Sequence, residues 1–164
     1  MPGTLPDKIL NAILKARLPH LSNLDCDKII YAHRLLMSIE NIQGLFLEEY
    51  LSRKMRSLSW YMAWGATITA VDMCSASGDL LQIKNQSNTE NSSSNKVRMG
   101  MPIHKWYRRN ASTGETKWAD LCDLVGCHND YMTEVDYQEF IKEALRGNPN
   151  ALPVETNNPW LYNS

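Results

Sequence analysis

The sequence predicts an α/β (α+β) protein, a small central sheet flanked by helices. Apolar residues recur at helical spacing through the first third and again near the end, while β-branched residues at period two occupy the middle. The 164 residues, 43% hydrophobic and 21% charged, have the balance of one soluble globular domain; two domains would each fall near the lower limit for an independent core.

The elements follow in order. After Pro6, the residues Ile9, Leu10, Ile13, Leu14 and Leu18 form a helical stripe that Pro19 stops. Asn23 or Asp25 caps a second helix carrying Ile29, Ile30, Leu35, Leu36 and Ile39. A third runs over about residues 41–58, with Ile42, Leu45, Phe46, Tyr50 and Leu51 on its stripe and Glu48, Glu49 and Arg53 largely off it; Gly44 weakens it. Residues 66–73, Ala-Thr-Ile-Thr-Ala-Val-Asp-Met, read as a strand. Residues 75–79 are turn material, and 80–84 form a second strand, which gives an antiparallel hairpin. Residues 85–95 carry no apolar side chain, so they form either a mobile loop or a polar surface for a polar partner. Trp118 to Val125 is a short amphipathic helix ending at Gly126. Thr133 to Asp136 resembles a capping box that opens a last helix before Gly147. Residues 148–164, rich in Pro and Asn, wrap the surface. The parts are thus a helical 1–58, a central 66–109 and a helical 110–164.

The net charge of −1 hides an asymmetry. Residues 84–109 hold six basic side chains against Glu90, a local +5, whereas 110–164 hold three basic and nine acidic. The basic stretch reads as an anion-binding surface. No apolar run is long enough to span a membrane, and the N-terminus lacks the apolar region of a secretory signal. Four cysteines are too few for a disulfide scaffold, which points to a reduced, cytoplasmic protein. Cys122 and Cys127-His128 lack a second pair at zinc spacing, and 130–139 lacks the glycine and ligand spacing of a calcium loop. His20, His33 and His104 are scattered, and Trp60, Tyr61 and Trp64 are core aromatics.

Strand alternation puts Gln82 and Lys84 on one side of the second strand and Leu81 and Ile83 on the other; on the first strand Val71 faces opposite to Asp72. Pairing the strands brings Asp72, Gln82 and Lys84 to one polar spot. Carboxylate and amide oxygens are hard ligands suited to Mg²⁺, and a lysine beside them orients or helps deprotonate a water. The other reading of these residues is a solvated hairpin face.

Asp72, nine residues, then Gln82-Ile-Lys84 resembles the core of the PD-(D/E)xK nucleases, where an Asp and an acidic-x-Lys sit on adjacent strands. The continuation through 84–98 and Ile103-His-Lys-Trp-Tyr-Arg108 is more particular. It is similar to type II restriction endonucleases of the SinI-like group, over roughly residues 46–109. The resemblance implies a restriction-endonuclease-like fold with a small mixed sheet, the whole of 1–164 as one nuclease domain, and Mg²⁺-dependent cleavage of double-stranded DNA at a short palindrome. It implies Asp72 as metal ligand with the Ile83 carbonyl, Lys84 as catalytic lysine, and Gln82 where the second acid usually stands. Many such nucleases add a Glu from the preceding helix; of Glu48 and Glu49, the expectation falls on Glu49. Asn85, Gln86, Asn88, Asn91, Asn95, Lys96 and Arg98 supply base- and phosphate-reading chemistry, and Lys105, Arg108 and Arg109 supply backbone clamps. A palindromic site implies a homodimer, and host protection a partner DNA methyltransferase. Two alternatives are a repair or junction-resolving nuclease on the same core, and a non-catalytic DNA-binding protein. Restriction enzymes are commonly longer than this chain.

Overall fold

In the computed structural model, residues 7–63, 71–87 and 103–161 are described. They hold helices α1 (Lys8–Arg17), α2 (Asn23–Met55), α3 (Trp118–Val125) and α4 (Glu134–Gly147), with strands β1 (Trp60–Met62), β2 (Met73–Ser75), β3 (Leu80–Gln86) and β4 (Ile103–Arg109). The chain divides into two compact units, one of residues 1–42 and 145–164, the other of residues 43–144.

In the first unit, Asp7 caps α1 by accepting the Ile9 N–H at 2.9 Å. Helix α2 starts at a capping box, but neither Asn23 nor Asp25 is its cap. Ser22 is: its hydroxyl accepts the Asp25 N–H at 3.1 Å, while the Asp25 carboxylate accepts the Ser22 N–H at 2.9 Å. These hydrogen bonds from Ser22 hold the Asp25 carboxyl below the usual range. The two helices expected over 23–39 and 41–58 are one 33-residue helix. No proline interrupts it, and Gly44 stands in open space, where it costs only about 1 kcal/mol relative to alanine. Residues 149–151 and 159–161 form short 3₁₀ turns, and Arg34 pairs with Glu155 at 3.2 Å.

The second unit is built on a four-stranded mixed sheet of order β1-β2-β3-β4, antiparallel except for the parallel pair β3–β4. The hairpin of β2 and β3 matches the expected turn. The expected strand at 66–73 begins in residues outside those described, and Met73 opens β2. Strands β1 and β4 were not expected. Met73, Leu81, Ile83 and Trp106 point to one side and pack with Leu47, Tyr50, Leu51 and Met55 of α2, Trp118 and Leu121 of α3, and Tyr137 of α4. Each such aliphatic side chain, once buried, contributes about 1.5–3 kcal/mol. Trp118 sits centrally among aromatics, with ring centroids 5.3 Å from Trp106, 5.6 Å from Tyr50 and 5.8 Å from Tyr137. Helix α3 ends at Gly126, whose φ of 75° is the left-handed conformation that glycine takes without strain. Helix α4 starts where expected, with the Thr133 hydroxyl accepting the Asp136 N–H at 3.1 Å.

Candidate active site

Asp72 lies just before β2, where the strand leaves the regular ladder. Its N–H donates to the Leu81 carbonyl at 2.9 Å, its carbonyl accepts from Ala63 at 2.9 Å, and its carboxylate accepts the backbone N–H of Ile83 at 2.6 Å. A side-chain oxygen thus replaces a backbone acceptor at the fork of two strands, which fixes the carboxylate beside the Gln82-Ile83-Lys84 segment.

Of the two acids Glu48 and Glu49 on α2, Glu48 is the one that feels the charge of Asp72. Its carboxyl is pushed above the usual range by burial and then by the negative charge of Asp72. Glu49, the expected choice, is exposed and accepts from Arg53 Nε at 2.7 Å one turn on. The helical period explains the difference: Glu48 stands three residues before Leu51 and seven before Met55, both fully buried, whereas Glu49 lies on the solvated side.

The Asp72 and Glu48 carboxylates, with a backbone carbonyl, are hard oxygen donors of the kind that suits a divalent cation. Among the described residues, no group of three or more His, Cys, Asp or Glu side chains stands together as a metal cluster. The amide at Gln82 is consistent with that count.

In β3, Leu81 and Ile83 join the core cluster, so alternation turns Gln82 and Lys84 to the opposite face. Gln82 is buried there and Lys84 is partly exposed. The parallel register sets Gln82 beside Lys105, Lys84 beside Tyr107 and Gln86 beside Arg109. Gln86, Lys105 and Arg109 are exposed.

Two residues expected to touch DNA are instead committed internally. Arg108 is buried on the core face; its guanidinium donates from Nη1 to Glu134 at 2.5 Å and from Nε to the Asn85 side-chain oxygen at 2.9 Å, and it stacks 5.6 Å from the Tyr137 ring centroid. Asn85 in turn donates to the Gln43 side chain at 2.5 Å, and Trp118 Nε1 donates to the other Glu134 oxygen at 2.8 Å. This network ties α2, β3, β4 and α4 together one residue beyond Lys84. Gln43 and Glu134 gave no sign of it in the sequence, since each reads as an ordinary helix residue. Asn88, Asn91, Asn95, Lys96 and Arg98 lie outside the described residues.

A short mixed sheet packed against helices, with an acid at the fork of two strands and a lysine on the second, defines an α+β fold of the restriction-endonuclease-like kind. A family model, described as SinI restriction endonuclease, matches residues 1–147. The type II restriction enzyme SinI of Salmonella infantis is 35% identical over 150 residues, covering 88% of this chain and 64% of the relative. The type II restriction enzyme Eco47I of Escherichia coli is 35% identical over 149 residues, with the same coverage of each chain. This chain belongs to the SinI restriction endonuclease family. It spans 64% of the length of these relatives.

Proposed function

We propose that this chain is a type II restriction endonuclease that hydrolyses phosphodiester bonds of double-stranded DNA, dependent on Mg²⁺, at a short palindromic site. The observation that carries the reading is the fork itself: the Asp72 carboxylate on the Ile83 N–H at 2.6 Å, with Glu48 electrostatically coupled to it and Lys84 the next residue but one along β3 from Gln82. Membership of the SinI family supports it independently.

Asp72, Glu48 and the Ile83 carbonyl would hold the cation. When bound, it would polarise the scissile phosphate and lower the pKa of the attacking water. Lys84 orients that water in line with the phosphorus and takes part in its deprotonation; the Gln82 amide stands where it adds an oxygen but no charge. Fewer carboxylates mean weaker retention of the cation. Gln86, Lys105 and Arg109, with the 88–98 segment, contact the duplex, whereas Arg108 and Asn85 act from inside. The chain acts as one nuclease domain in the cytoplasm, as a two-fold homodimer matched to the symmetry of its site, with a separate DNA methyltransferase protecting host DNA.

The test is digestion of a plasmid by the purified chain with Mg²⁺ and with chelator. The reading expects discrete fragments in Mg²⁺ and none with chelator. An intact plasmid under both conditions overturns the cleavage claim, and a retarded but uncut plasmid would leave a DNA-binding protein.

A further inference from the structure

The face of the β3–β4 pair turned away from the core cluster carries Gln82, Lys84 and Gln86 on one strand and Lys105, Tyr107 and Arg109 on the other. It holds three cations and no acid. Among the described residues, no carboxylate forms an ion pair with Lys84, Lys105 or Arg109. The cation on the opposite face of β4, Arg108, is by contrast neutralised by Glu134.

The register gives these charges an order. Lys105 stands opposite Gln82, one same-face step before Lys84, and Arg109 stands opposite Gln86, one step after it. A same-face step along a strand is about 6.6 Å, and neighbouring strands are about 4.8 Å apart. The cations therefore zigzag along the pair, with Lys84 in the middle. The outer end is also pre-set: the Arg109 guanidinium lies against Gly114, 3.5 Å from where a Cβ would stand, and a φ of 77° favours glycine there.

On this basis we infer that Lys105 and Arg109 hold the two phosphates flanking the scissile one, on opposite sides of the cut, so that the β3–β4 face is a track for one DNA strand centred on Lys84. The inference rests on the proposed nuclease reading and adds a position for each cation. A diffuse basic patch would lower affinity without regard to which phosphate is altered. A track assigns each lysine or arginine its own phosphate.

The experiment uses a duplex carrying the cleavage site, mapped from the ends of the plasmid fragments, with a neutral methylphosphonate placed singly on the phosphate before or after the cut. Wild type, Lys105→Met, Arg109→Met and the conservative Lys105→Arg are compared for KM and kcat, with thermal melts confirming folding. Each Met variant should reduce the slope of log affinity against log salt by about 1. The methylphosphonate on one side should cost wild type at least about threefold more than it costs Lys105→Met. The methylphosphonate on the other side should show the same coupling with Arg109→Met, and Lys105→Arg, which keeps the charge, should keep its coupling to the same phosphate as Lys105. Equal costs for every protein at both positions, or coupling of both variants to the same phosphate, overturn the track. If the wild type leaves the plasmid uncut, the nuclease reading falls and the track with it; cleavage without positional coupling removes the track alone.

Discussion

The Asp72 carboxylate accepts the Ile83 N–H at 2.6 Å, which makes the side chain both a structural acceptor and the leading charge of the site. Substitution separates the two. Asp72→Asn keeps an oxygen for Ile83 and removes the charge, so stability should change by less than about 1 kcal/mol. Asp72→Ala leaves a part-buried N–H without its acceptor and should cost about 1–3 kcal/mol in denaturant melts. Both should abolish cleavage. An active Asp72→Asn enzyme would show that the charge is not needed.

Glu48 and Glu49 are adjacent in sequence but stand in different surroundings. Glu48→Gln should reduce cleavage at least about a hundredfold and raise the Mg²⁺ concentration needed for half-maximal rate, since it removes one of two carboxylates at the fork. Glu49→Gln breaks an exposed pair with Arg53, of a kind worth about 0.5 kcal/mol, and should leave the rate within about threefold. Titrating Mg²⁺ against initial rate for both variants decides the assignment.

Arg108 and Glu134 form a largely buried ion pair with Asn85 and Trp118 attached. Removing one partner strands the other charge, so Arg108→Ala should cost about 3–5 kcal/mol, while Arg108→Met combined with Glu134→Leu should recover much of the loss. The salt dependence of DNA binding should barely move in the recovered double variant. A fall of the salt slope by about 1 would instead mean that Arg108 meets a phosphate.

Asp79 accepts hydrogen bonds from the Ser77 hydroxyl at 2.7 Å and the Ser75 hydroxyl at 2.8 Å, which hold its carboxyl below the usual range. A depressed folded value means that the stabilisation is complete above the ordinary aspartate pKa and fades as pH falls through the lowered one. Urea midpoints of wild type should therefore drop below about pH 4 more steeply than those of Asp79→Asn. Parallel profiles would show that the turn carboxylate does not contribute.

Much of this architecture is legible in the sequence because local chemistry decides it: Gly126 stops α3, Thr133 starts α4, and the turn over 75–79 makes the hairpin. Helix α2 is longer than its pattern suggested, because a change of stripe after Ile39 is not a break and nothing there ends the backbone ladder. The Ser22-Asn-Leu-Asp25 capping box is masked in the sequence because Asn23 and Asp25 are themselves favoured cap residues. Strand β4 was hidden, since Ile-His-Lys-Trp-Tyr-Arg-Arg shows no apolar alternation when the inward residue is an arginine whose partner, Glu134, lies 26 positions away. The proximity of Asp72 to the Gln82-Ile83-Lys84 segment could be read from spacing. That Glu48 is the more buried of Glu48 and Glu49 was legible too, from the stripe that Leu51 and Met55 share with Glu48.

In the proposed function Lys84 does chemistry at a phosphodiester rather than merely attracting DNA, and the two roles are separable. The most direct measurement compares wild type and Lys84→Ala on one duplex, with binding followed by gel retardation in Ca²⁺ and cleavage in Mg²⁺. Lys84→Ala should bind within about tenfold of wild type and cut at least about a hundredfold more slowly. Cleavage lost only in proportion to binding would contradict a chemical role for Lys84.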